Sequence, residues 1–191
     1  PSEGKYYPQG SVDIPVNGEV AVYPMTAVDE ITTKTPDALF NGSAVVEIIK
    51  GCIPSIKDPW EIPLIDLDPI LVAIRTATNG NNMDITSKCP ACEEEGSYGI
   101  NLGTLLGTLQ KGKYDEPLIL QDLSFKFKPL AYKQINRINQ VQFEIQTVVL
   151  GLDNIEDADL RKQKSTETMK KLNELSVSLV SETIENITTP N

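Results

Sequence analysis

The stretch Met83-Asp84-Ile85-Thr86-Ser87-Lys88-Cys89-Pro90-Ala91-Cys92-Glu93-Glu94-Glu95-Gly96-Ser97-Tyr98-Gly99-Ile100-Asn101-Leu102 decides the fold class. In its first arm Met83 and Ile85 alternate with polar residues, and in its second Tyr98, Ile100 and Leu102 do the same, which is the period of a half-buried strand. Between the arms lies a tight Cys-Pro-x-Cys turn. Strand, knuckle and strand inside a chain that otherwise shows helical spacing predict an α+β protein rather than an all-helical one.

The two thiols of that turn are the sharpest chemical signal. A zinc knuckle needs a tight turn that aims two thiolates at one ion, and Cys89 and Cys92 have that spacing, with Lys88 nearby to ease thiolate formation. A tetrahedral site needs four ligands, however, and the chain has three cysteines and no histidine. The balance would have to come from Cys52, from oxygens of Asp84, Glu93, Glu94 or Glu95, or from a second chain. Three readings therefore stand: half of a zinc site at Cys89 and Cys92, a redox dithiol, and a turn that has lost its metal. The redox reading fits least, because thioredoxin-like pairs join a strand to a helix and this one joins two strands. Cys52 falls at helical spacing behind Ile48 and Ile49 and reads as a small core residue, not a nucleophile.

On the N-terminal side, residues 26–80 carry helix signals. Thr26-Ala27-Val28-Asp29 has capping-box form, and Thr35-Pro36 offers a cap followed by proline at the first helical position. Ser43 is placed to cap a core helix through Val45, Val46, Ile48, Ile49 and Cys52. Pro54 to Pro63 is an irregular link holding the single tryptophan, Trp60. Asp66 or Asp68 with Pro69 opens a further helix that closes at Asn79-Gly80, both tolerant of left-handed backbone. Before residue 26, Val12, Ile14 and Val16 alternate with Ser11, Asp13 and Pro15, and Asn17-Gly18 precedes Val20, Val22 and Tyr23, which predicts a β-ribbon.

On the C-terminal side, residues 103–113 suggest a short helix, and Leu118 to Phe127 gives two runs of strand period. Leu130 to Gly151 reads as a helix with a broad apolar face. Residues 153–187 read as a second long helix whose stripe of Met169, Leu172, Leu175 and Leu179 is narrow. A helical arm packed on its own domain and one packed on a partner fit this stripe equally. The resulting division is 1–25 as N-terminal β-ribbon, 26–128 as α+β domain with the knuckle, and 129–191 as C-terminal helical arm.

Composition narrows the function classes. The chain of 191 residues carries 17 basic and 27 acidic side chains, a net charge of −10. Such a surface repels phosphate backbones, so nucleic acid is not an expected partner. The longest apolar runs, such as 69–74, fall far short of the roughly 20 residues of a membrane span. Absence of histidine removes the commonest general base and the Ser-His and Cys-His nucleophile pairs. Gly112-Lys113 is followed by Tyr114, not by the Ser or Thr of a phosphate-binding loop. The carboxylate groups Asp66/Asp68 and 93–95 read as caps or solvated charge, and Tyr6, Tyr7 and Tyr23 as ribbon residues packed on their own domain. Few cysteines suit a reducing compartment, so the chain is read as intracellular when made. It starts at Pro1 without Met and without a secretory leader, and some N-terminal sequence is expected to precede it. What remains is a non-catalytic protein that binds other proteins, with zinc as the single cofactor suggested.

The order of several segments resembles the T-even-type phage baseplate family. Residues 1–8, then Val22-Tyr23-Pro24-Met25-Thr26-Ala27-Val28-Asp29-Glu30, then Thr35-Pro36-Asp37-Ala38-Leu39-Phe40-Asn41-Gly42 carry the likeness, together with 48–56, 66–78 and Lys88-Cys89-Pro90-Ala91-Cys92. It runs from about residue 1 to 110, and the glycine expected after the second cysteine is Glu93 here. The resemblance implies a contractile-tail baseplate protein of the hub region, without enzymatic activity, in the virion after a period in the host cytoplasm during assembly. Its partners would be other baseplate and tail proteins, in several symmetric copies. An assembly chaperone of the hub that leaves before maturation is the alternative role, and a thiol oxidoreductase at Cys89 and Cys92 the distant third.

Overall fold

The computed structural model describes residues 4–14, 19–32, 34–109, 114–152 and 155–189. It is a mixed α+β protein with seven helices and two small antiparallel sheets among those residues. The chain divides into two compact units, Pro1–Gly112 and Lys113–Asn191.

Unit 1 is built on helices α1 (Ala27–Thr32), α2 (Pro36–Phe40), α3 (Ser43–Cys52) and α4 (Leu64–Asn79). The expected capping box is present: the Thr26 amide donates to Asp29 Oδ2 at 2.7 Å and the Asp29 amide to Thr26 Oγ1 at 3.4 Å. Helix α3 is capped earlier than expected. Ser43 is already helical, and its amide donates to Asn41 Oδ1 at 2.9 Å, while Gly42 supplies the left-handed residue at φ 79°. The buried face of α3 holds Ala44, Val46, Ile48, Ile49 and Cys52 at its centre. Ile53, Ile56, Ile62, Leu67 and Ile74 close the core around them.

Helix α4 also starts earlier than Asp66. The Asp66 amide donates to the Pro63 carbonyl at 2.8 Å, so the first turn forms before the acidic residue, and Pro69 lies inside the helix. Pro69 is the sixth residue of the helix, so it removes the bond that position would donate to the Ile65 carbonyl and interrupts the ladder in the second turn. The helix ends where expected, with Gly80 at φ 83°. Within the 54–63 link, Asp58 caps a short 3₁₀ turn, Pro59–Glu61, accepting from the Trp60 amide at 3.2 Å.

The N-terminal segment differs from the expected ribbon. The Asn17-Gly18 turn lies outside the described residues, and the bridge seen pairs Val12 with Ile56 rather than with 20–23. The Asp13 amide donates to Ser55 O, the Tyr23 amide to Cys52 O and the Lys57 amide to Ser11 O, each at 2.8 Å. Carbonyls at the C-terminus of α3 have no helical donor and need one from elsewhere. The two extended segments supply it, and so lie across the 52–57 turn.

Strands β1 (Asn82–Lys88) and β2 (Glu95–Asn101) form the expected hairpin, paired from Asn82↔Asn101 to Lys88↔Glu95. Its root is fixed to the unit: the Leu102 amide donates to Asn81 O at 2.7 Å, Asn101 caps helix α5 (Leu102–Thr108), and Leu102 is buried. The end of the expected 103–113 helix lies partly outside the described residues.

Unit 2 contains strands β3 (Leu118–Leu120), β4 (Leu123–Phe127) and β5 (Ile184–Thr188) and helices α6 (Tyr132–Gly151) and α7 (Ala158–Thr183). The sheet order is β3-β4-β5. The C-terminal helix therefore stops short of residue 187, because Ile184 to Thr188 pairs with β4 with an irregularity at Lys126/Phe127. Helix α6 begins with half a capping box, the Ala131 amide donating to Gln134 Oε1 at 2.7 Å. Helix α7 begins at Asp157, whose carboxylate accepts from the amides of Asp159 and Leu160 at 2.9 and 3.1 Å.

Candidate functional site

Three surfaces concentrate the chemistry that the sequence singles out or conceals. The first is the tip of the β1–β2 hairpin. The Cys89 amide donates to Glu94 O and the Glu93 amide to Cys89 O, both at 2.9 Å, which folds residues 89–94 back tightly. Glu93 stands at φ 58°, left-handed backbone that glycine adopts without penalty. Cys92 is exposed and Cys89 half-buried, and both are free thiols. Backbone N–H groups of Ala91 and Cys92, and the Cys92 side chain, hold the Cys89 thiol below its ordinary value, against an opposing effect of desolvation. Cys52, by contrast, is fully buried in the unit 1 core, as its spacing predicts, and burial pushes its thiol up.

Among the described residues no group of three or more His, Cys, Asp and Glu is placed to hold a metal. Lys88 lies across from Glu95 at 3.5 Å, so its charge is shared with a carboxylate. Along the hairpin both faces are largely exposed, with Ile85 opposite Tyr98 at 37% and 56% exposure.

The second surface belongs to α6 and α7. Tyr132, Ile138 and Ile145 of α6 and Thr168 of α7 are buried, while Leu172, Leu175 and Leu179 are half-buried. At one end the helices are held by Glu182, which accepts from Gln134 Nε2 at 2.6 Å, from Ser178 Oγ at 2.9 Å, and from Arg137. Desolvation pushes the Glu182 carboxyl up, but these three donors and the Arg137 charge outweigh it and hold it below the usual range. Towards the other end, Phe143, Val148, Val149, Leu150 and Met169 are exposed. So are Val177 and Val180. Lys171 meets Glu144 at 3.8 Å beside this apolar surface.

The third is a cleft in unit 1 of about 270 Å³, walled by Val12, Ile14, Val22, Ile53, Ile70 and Ala73 among others. Asp66 and Tyr7 also line it, and Asp66 is 5% exposed. Burial, then the charge of Asp66 and a hydrogen bond to it, push the Tyr7 hydroxyl well above its ordinary pKa. Gly4, another lining residue, lies at φ 79°, and a Cβ there would stand 2.1 Å from Ile14 Cδ1. The sequence reading took Asp66 for a helix-opening or solvated carboxylate and missed this cleft. The available signal was its phase: Pro69, Ile70 and Ala73 lie three, four and seven residues on, so Asp66 falls on the apolar stripe of α4.

No helix among the described residues is long and apolar enough to cross a membrane. The sequence matches the family described as T4 bacteriophage base plate protein over residues 8–191, so the likeness carried by residues 1–110 continues through α6, α7 and β5. No curated protein and no solved structure matches the chain at a significant level. A match across nearly the whole length, covering the tip hairpin and the helical pair alike, places the chain in the T4 bacteriophage base plate protein family.

Proposed function

We propose that the chain is a structural component of the hub region of a contractile-tail baseplate, working through protein-protein contacts and without catalysis. It resides in the tail baseplate of the virion, after assembly in the host cytoplasm, beside other baseplate and tail proteins and in several symmetric copies. The observation that carries this reading is the family match over residues 8–191. The apolar surface of α6 and α7 supports it, since Leu150 and Val177 are 71% and 70% exposed and a permanent neighbour would cover them. Extended elements such as the β1–β2 hairpin suit the same role, because a two-stranded ribbon exposed on both faces is marginal until it packs against something.

The absence of histidine and the placement of the Cys pair at an exposed tip support a non-catalytic role. Quantitative mass spectrometry of purified particles tests the reading against known tail components. A fixed stoichiometric copy number is the expected result. Presence in infected cells with absence from particles would instead make the protein a hub assembly chaperone.

A further inference from the structure

We infer that the tip of the β1–β2 hairpin is half of a zinc site that two copies of this chain complete, Cys89 and Cys92 of each copy supplying the four thiolates. The inference rests on the several-copy arrangement proposed above, and adds to it a metal and the surfaces that the metal joins.

The donor set argues first. Structural zinc takes four ligands in a tetrahedron, and cysteine thiolate is among its preferred donors. Of the three cysteines, Cys52 is buried in the unit 1 core, so the accessible thiols are Cys89 and Cys92. The sequence has no histidine, and among the described residues no group of three or more His, Cys, Asp and Glu is placed on one ion. Two ligands from this chain leave two to come from outside it. The local backbone argues second. The amides of Ala91 and Cys92 and the Cys92 side chain bond to the Cys89 sulfur, and hydrogen bonds to the charged form favour it, which is the form that binds metal. Directly after the second cysteine Glu93 stands at φ 58°, and its amide donates to the Cys89 carbonyl at 2.9 Å. The turn thus holds a left-handed backbone at a residue other than glycine in order to fold the two cysteines together.

The hairpin behind the tip argues for a second copy as the source of the other two ligands. Alternate residues of a strand face opposite sides, so the register puts Met83, Ile85, Tyr98 and Ile100 on one face and Asp84, Thr86, Lys88 and Glu95 on the other. Ile85 and Tyr98 are exposed. The Tyr98 side chain carries this face towards the tip by lying over Gly96, where a Cβ would stand 2.8 Å from Tyr98 Oη. The Lys88–Glu95 ion pair, at 3.5 Å, keeps its charges on the opposite face. A two-fold axis running along the hairpin lets the apolar face and the tip each meet its own copy, and identical ligand pairs then converge on one ion by symmetry. On binding, the four thiols release four protons to solvent while four sulfur–zinc bonds replace the bonds of the ion to water, with no change of oxidation state.

The test titrates zinc chloride into the full chain, stripped of metal by chelator under reducing conditions, while light scattering follows its mass and atomic emission its bound zinc. One zinc per two chains is expected, with a doubling of mass that chelator reverses. Cobalt in place of zinc should give the visible bands of a tetrahedral four-sulfur site. Cys89→Ser and Cys92→Ser should each lose the metal and the doubling together. One zinc per chain without a change of mass, no retained zinc, or a doubling that occurs equally without metal would each overturn the inference. Should a variant not fold, the zinc-to-chain ratio and the cobalt spectrum of the unaltered chain decide alone. None of these outcomes bears on copy number in particles, so failure of the metal site and failure of the hub assignment are separable.

Discussion

Unit 1 and unit 2 bury their apolar residues to different degrees. In unit 1 the side chains of Ala44, Ile49, Cys52 and Ile62 are 0% exposed, whereas the best-buried apolar residue of unit 2 is Ile138 at 2%, with Leu130 and Tyr132 at 8%. Both units leave apolar side chains outside: Ile119, Leu150 and Val177 of unit 2 are 70%, 71% and 70% exposed, and Val28 and Ile31 of α1 in unit 1 are 71% and 67% exposed. Unit 1 has the core of a self-sufficient domain. Unit 2 is a helical pair with a small sheet, pinned at one end by Glu182 and apolar on its outside. On the proposed function, a neighbour would complete such a fold.

The largest contrast should appear in thiol chemistry. Cys92 and Cys89 at the hairpin tip should react with iodoacetamide about a thousandfold faster or more than Cys52, which becomes accessible only when the unit 1 core opens. The low value of the Cys89 thiol lets it react at lower pH than an ordinary cysteine. Comparable rates for Cys52 would mean that unit 1 is not the rigid partner of the pair.

Next in size are core truncations. Ile49→Ala should cost about 2–5 kcal/mol in urea unfolding, whereas Leu150→Ala in unit 2 should cost less than about 0.5 kcal/mol in the isolated chain. Equal costs would break the contrast. Glu182→Gln should destabilise the α6–α7 pair by roughly 1–2 kcal/mol through lost charge-assisted hydrogen bonds. Because the folded carboxyl sits below its unfolded value, its contribution is present above the ordinary glutamate range and is lost as pH falls through the folded value. Melting of unit 2 followed against pH should show that acid loss in the native chain and not in Glu182→Gln. Glu93→Gly relieves left-handed backbone at φ 58° and should stabilise the tip by about 0.5–1 kcal/mol, less than Glu182→Gln costs.

Much of this organisation was legible before the structure. The β1–β2 hairpin, the α3 core face, the capping box at Thr26 and the stop at Gly80 are local features, each fixed by residues within a few positions of one another. Features that depended on distant partners were not. Val12 and Ile14 alternate as a ribbon should, but their neighbours' backbone groups are drawn to the 52–57 turn, which no local pattern announces. Ile184 to Thr188 continued the polar helix by composition, yet its β-branched residues pair with β4 instead. Asp66 looked like a cap because carboxylates near a proline usually are; its place on the apolar stripe of α4 becomes meaningful once the N-terminal segment closes the cleft. For the Cys pair, the turn was readable because it is set by neighbouring residues.

Hydrogen exchange on the full chain, free in solution and in purified particles, tests the central claim most directly. The account predicts that α3 is strongly protected in both states, and that protection of α6 and α7 is low in the free chain and rises by orders of magnitude on assembly. Protection of residues 132–183 that is already equal to that of α3 in the free chain, and unchanged in particles, would contradict it.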